Sequence, residues 1–147
     1  MAFKFRYTSL LNYREHLKEK AEIEHAKALG ALLRAREELR SLRRAYGKVQ
    51  EAFKQAMVEA ADGNMIRNYS DYLALIRDKT EKQNREIEAL KTEQETKRSA
   101  LLKKSKECKV IEKLKEKDFE KWQQYQDHLE QIRLNEVAVQ RYGKTYM

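Results

Sequence analysis

The 147-residue chain has no proline and four glycines. Compact folds of many short elements use both residues as punctuation, so their scarcity argues against such a fold and for a few very long helices. A single cysteine, Cys108, excludes an internal disulfide and fits a reducing compartment. There is no run of 18 apolar residues and no apolar leader-like stretch near Met1, so no membrane insertion is expected. Also missing are a Gly-rich phosphate loop, a His/Cys metal spacing and a Ser/His/Asp set that helices could bring together. The expectation is a soluble, cytoplasmic, non-enzymatic protein with no cofactor, no metal and no catalytic residues.

Charged residues make up 38% of the chain and aromatics 9%, with a net charge of +8. The charges are mixed in sign and the apolar residues are periodic, which favours long helices over disorder. A basic excess suits an acidic partner such as nucleic acid. The candidates are Arg34, Arg36, Arg40, Arg43, Arg44 and Lys48, and separately Lys103, Lys104, Lys106 and Lys109. Glu37 and Glu38 blunt the first group, so a solvated face with no nucleic acid is the preferred reading.

The apolar residues define the architecture. Alternating steps of four and three lead from Tyr69 through Leu73, Ile76, Ile87, Leu90, Leu101, Cys108, Ile111, Trp122, Leu129 and Ile132 to Val139, a coiled-coil seam. A second seam runs through Ala21, His25, Ala28, Leu32, Ala35, Leu39, Leu42, Tyr46, Val49, Phe53, Ala56 and Ala60. Upstream, Leu17, Tyr13 and Leu10 extend it only through a stutter. Thr8 and Ser9 look like a cap after an extended lead-in. Ala61-Asp62-Gly63-Asn64 is the one central turn-like cluster, and Asn68 with Asp71 resembles a capping box.

The expectation is therefore all-α: two long helices forming an antiparallel coiled-coil hairpin that occupies 1–147 as one unit. Helix one covers about 8–61, the turn about 62–68 and helix two about 69–140. Aligning the seams about that turn sets Ala60 opposite Tyr69, Phe53 opposite Ile76, Leu39 opposite Leu90 and Ala21 opposite Cys108. Tyr7 would then face Trp122, and beyond it helix one runs out. Leu129, Ile132 and Val139 continue as an apolar stripe without an intrachain partner, the mark of an interaction site.

Four segments carry a resemblance across the whole chain. These are Phe3-Lys4-Phe5-Arg6 with Leu10-Leu11 and Arg14-Glu15; Asn68-Tyr69-Ser70-Asp71-Tyr72; the block from Lys109 to Lys117; and Asn135 to Tyr142. In that order and spacing they resemble the FliJ family of flagellar type III export proteins. The resemblance implies a soluble component of the bacterial flagellar export apparatus, cytoplasmic and peripheral to the inner membrane. It implies binding at the centre of the hexameric export ATPase, promotion of that enzyme's assembly and activity, and links to the cytoplasmic domain of the membrane export gate and to export chaperones. Carried over, the partner-binding residues are Phe3, Phe5, Leu10, Leu11, Glu112, Leu114, Leu129, Ile132 and Val139 for the termini, with Tyr72 and Ile76 toward the gate. The alternatives from other classes are a generic coiled-coil scaffold or chaperone and a basic nucleic-acid-binding rod.

Overall fold

The computed structural model describes residues 2–60 and 62–145. Ala61, which the sequence reading places at the end of helix one, lies outside the described residues. Two helices account for nearly all of the rest: α1, Thr8–Val58, and α2, Gly63–Thr145. The chain divides into two compact units, one made of Met1–Glu19 with Lys103–Met147 and the other of Lys20–Leu102. In each, a stretch of α1 packs against a stretch of α2.

In the Lys20–Leu102 unit the seams read from sequence are the buried faces. Leu32, Ala35, Leu39 and Ile87 form one buried cluster with Leu90 packed on it, and Ala28, Ala56, Leu73 and Ile76 are buried along the same rows. Polar seam residues are satisfied across the pair. Buried Gln83 donates from Nε2 to the Ala35 carbonyl at 2.8 Å, Gln94 Nε2 lies 3.0 Å from His25 Nε2, and Lys97 pairs with Glu24 at 3.5 Å. Partners later in α2 sit opposite partners earlier in α1, so the two stretches are antiparallel.

The register differs from the sequence reading by one heptad. Tyr69 packs edge-on against Phe53, with ring centroids 6.2 Å apart, rather than against Ala60. Arg77 reaches Tyr46, and Lys97 lies by Glu24, both roughly one heptad nearer the N-terminus of α1 than the alignment about 62–68 sets them. The cause is the turn. Helix α2 begins at Gly63, not Tyr69, and α1 ends at Val58. Moving the turn centre back by half a heptad slides the pairing by a whole one, which leaves every seam residue on its face but changes its neighbour. Ile66, one step upstream on the α2 seam, is half-buried, and this apolar contact favours winding residues 63–68 into the helix. The capping assignment moves too. Asp62 accepts from the Asn64 N–H at 3.4 Å as the N-cap of α2, while Asn68 and Asp71 are exposed inside the helix. At its other end α2 runs to Thr145, beyond the expected 140.

In the other unit the lead-in residues 3–5 are not helical, and they fold onto α2. Phe3 packs edge-on to Phe119 at 5.3 Å and beside Trp122 at 5.8 Å. Phe5, Leu11 and Cys108 form a buried cluster joined by Phe3 and Ile111. Thr8 Oγ1 donates to the Phe5 carbonyl at 2.8 Å and the Leu11 N–H to the Tyr7 carbonyl at 2.9 Å, fixing the start of α1. The stutter does not occur. Leu11, Arg14 and Lys18 continue the regular seam below Ala21 and are buried or half-buried, whereas Leu10 and Tyr13 point outward. Hydrophobicity misleads at this point because two seam positions are basic. Arg14 is held there by Glu107, with Nη1 2.7 Å from Oε2.

Candidate partner-binding faces

Burial sorts the eleven candidate residues. Phe5, Leu11 and Ile76 are buried in the helix pair, and Phe3 and Glu112 are half-buried. Glu112 accepts a 3.5 Å contact from the Cys108 Sγ. Burial pushes the Cys108 thiol above its ordinary value, and the hydrogen bond and negative charge of Glu112 act in the same direction. Leu10, Tyr72, Leu114, Leu129, Ile132 and Val139 are exposed. The candidates therefore separate into a set that holds the lead-in and α2 in place and a set that can meet another surface.

The exposed residues form two faces in different units. In the first, residues 127–143 of α2 are solvent-exposed throughout, although Leu129, Ile132, Leu134, Val137 and Val139 are all apolar. A shallow groove of about 410 Å³ runs along this stretch between Ile132, Asn135, Glu136, Val139 and Gln140. Fully burying one such side chain is worth roughly 1.5–3 kcal/mol, so a partner that surrounds several of them gains a substantial driving force. The absence of a facing segment of α1, foreseen from the seam lengths, leaves this stripe bare.

The second face lies beside the turn. Tyr72, half exposed at 50%, lines a groove of about 400 Å³ with Val49, Met65, Asn68 and Tyr69. Met57, Val58 and Leu75 are exposed in the same unit. Sequence reasoning found Tyr72 but missed Met65 and Val49 as its neighbours. With the turn set at 62–68, Met65 belonged to a loop; its place in the groove follows from the earlier start of α2.

Of the basic candidates, Arg40, Arg44 and Lys104 take part in ion pairs among the described residues, Lys104 with Glu107 at 3.6 Å. Glu37 pairs with Arg40 at 3.1 Å and Arg44 at 3.2 Å, and the Arg77 guanidinium lies over the Tyr46 ring, 5.6 Å from its centroid, while donating to its hydroxyl. Among the described residues, no helix is long and apolar enough to cross a membrane, and no group of His, Cys, Asp and Glu side chains could hold a metal ion.

Two long helices packed through heptad seams, with apolar faces exposed in each unit, define an all-α coiled-coil protein. A family model described as flagellar FliJ protein matches residues 3–145, and the chain belongs to that family. It is therefore a component of the flagellar export apparatus, of a non-catalytic structural and regulatory family. No curated protein and no solved structure matches the chain.

Proposed function

We propose that this protein binds the hexameric flagellar export ATPase through the exposed C-terminal stripe of α2, promotes its assembly and activity, and contacts the cytoplasmic domain of the export gate through the Tyr72 groove. Export chaperones are further partners on this reading, and its place of action is the cytoplasmic side of the inner membrane. The observation that carries it is the stripe through Leu129, Ile132 and Val139, which remains exposed over about three turns of an otherwise seam-packed helix. A ring can bury such a stripe from several sides at once, which a flat partner cannot. Leu10 and Leu114, both exposed, extend the contact surface of the same unit. Buried Phe5 and Leu11, with half-buried Phe3 and Glu112, set the position of the lead-in on α2; Ile76 is buried in the seam, one turn after Tyr72.

The test is the rate of ATP hydrolysis by the cognate export ATPase against added protein. Leu129→Asp with Ile132→Asp is expected to abolish stimulation while circular dichroism shows unchanged helix content, since both side chains are exposed in the free chain. Full stimulation by the double variant overturns the assignment of the stripe to the ATPase.

A further inference from the structure

Helix α1 carries a second apolar row that its pairing with α2 does not use. Ile23, Ala26, Gly30 and Leu33 follow the three-and-four spacing of a seam but lie off the core row of His25, Ala28, Leu32 and Ala35. Ile23 and Leu33 are 58% and 51% exposed, and Leu29 on the edge of the row is 37% exposed. The row ends at Glu37, which is engaged with Arg40 and Arg44. A helix with two such rows has the pattern of one that packs between two neighbours; this chain supplies one of them.

Gly30 points the same way. A glycine inside a helix costs about 1 kcal/mol relative to alanine, and nothing among the described residues requires it. A Cβ placed there would meet only the end of the Arg34 side chain, at 3.5 Å. What Gly30 and Ala26 do permit is the close approach of a second helix backbone.

The flanks state the chemistry of that helix. Lys20, Lys27 and Arg34 recur one heptad apart along one edge of the row, all exposed, and none takes part in an ion pair among the described residues. The opposite edge is Glu22, Leu29 and Arg36. A second copy docked antiparallel would set the basic edge against itself. Docked parallel, it would match Glu15 with Lys20 and Glu22 with Lys27 but set Arg34 against Leu29. We propose that the Ile23, Ala26, Gly30, Leu33 face of α1 docks an amphipathic α-helix of another protein, one with an apolar heptad seam and a row of Asp or Glu along its flank. The face is separate from both surfaces assigned above.

The probe is a synthetic three-heptad peptide with leucine at the seam positions and glutamate at the flanks, titrated into the full chain by fluorescence anisotropy beside a twin with lysine at the flanks. The glutamate peptide is expected to bind at least about ten-fold tighter than its twin, a difference of about 1.4 kcal/mol. Ile23→Glu with Leu33→Glu should abolish binding, and Lys20→Glu, Lys27→Glu and Arg34→Glu together should reverse the preference. Leu129→Asp with Ile132→Asp, and separately Tyr72→Ala, should leave it unchanged, so failure of the ATPase or gate assignment is read independently. Equal binding of the twins, or undiminished binding by the Ile23→Glu, Leu33→Glu chain with native circular dichroism, overturns the proposal. So does a dimer in sedimentation that Leu33→Glu dissolves, because the face would then be an interface between copies.

Discussion

Ala60 holds a left-handed backbone conformation, with φ of 52°, at the end of α1. This is the position at which helices commonly place glycine, because a Cβ crowds the following carbonyl there. Gly63, the glycine that marks the turn in the sequence, instead occupies the first turn of α2. Ala60→Gly is expected to stabilise the protein by about 0.5–1 kcal/mol in urea unfolding, because relief of the left-handed strain exceeds the entropic cost of glycine. A loss of stability would place the strain elsewhere. Cys108 offers a second residue-scale test. Its side chain is 1% exposed, so the native thiol should resist alkylating reagents that modify it at once in denaturant. Since burial raises its pKa, the folded state binds this proton more tightly than the unfolded state. Its contribution is intact below the ordinary thiol range and declines as pH rises past about 8.5, where the unfolded thiol ionises first, until the higher folded value is reached. Cys108→Ala should lose packing at every pH but lack this alkaline decline.

At the scale of the helices the central fact is the register. A seam whose period is strict over many heptads tolerates pairing one heptad away, since each apolar residue still meets the opposite seam. What selects among the alternatives is the turn and a few polar contacts with one good partner each: Gln83 with Ala35, Gln94 with His25, Lys97 with Glu24 and Arg77 with Tyr46. A polar residue in a coiled-coil core sets register at some cost in stability. In a chain carrying Cys108→Ala, Leu32→Cys with Leu90→Cys should oxidise readily within one chain, and Leu39→Cys with Leu90→Cys should not, because a disulfide needs Cα atoms within about 7 Å. Adding Gln83→Leu should raise thermal stability and allow the second pair to begin to form. If Leu39→Cys and Leu90→Cys already bridge without it, the register described above is wrong.

At the scale of the molecule, the two exposed faces fall in different units, Tyr72 in one and the Leu129 to Val139 stripe in the other. Each face belongs to its own unit, so their effects should separate. Tyr72→Ala is expected to weaken binding to the cytoplasmic domain of the gate at least about ten-fold, a loss of roughly 1.4 kcal/mol, and to leave ATPase stimulation near the parent value. Leu129→Asp with Ile132→Asp should do the reverse. Equal loss of both activities in either variant would mean that the faces are coupled or that the substitution disturbs packing. Sedimentation and circular dichroism of each variant distinguish these outcomes.

Heptad periodicity depends only on the order of residues, so the sequence alone determined that the chain forms two long helices, which face each buries from Ala21 to Ile111, and that Leu129, Ile132 and Val139 are left exposed. It also placed Tyr72 just off the seam. The tertiary structure decided what faces what. Whether residues 63–68 belong to a loop or to α2 depends on burying Ile66 and capping with Asp62, small local gains that hydrophobic spacing does not register. That choice alone sets Phe53 rather than Ala60 against Tyr69. Arg14 and Lys18 were hidden for a related reason. A basic residue reads as surface until a partner such as Glu107 is brought within 2.7 Å, and sequence separation gives no measure of that distance. Periodicity specifies a face, whereas register and the pairing of polar groups are properties of two faces together and exist only once they meet.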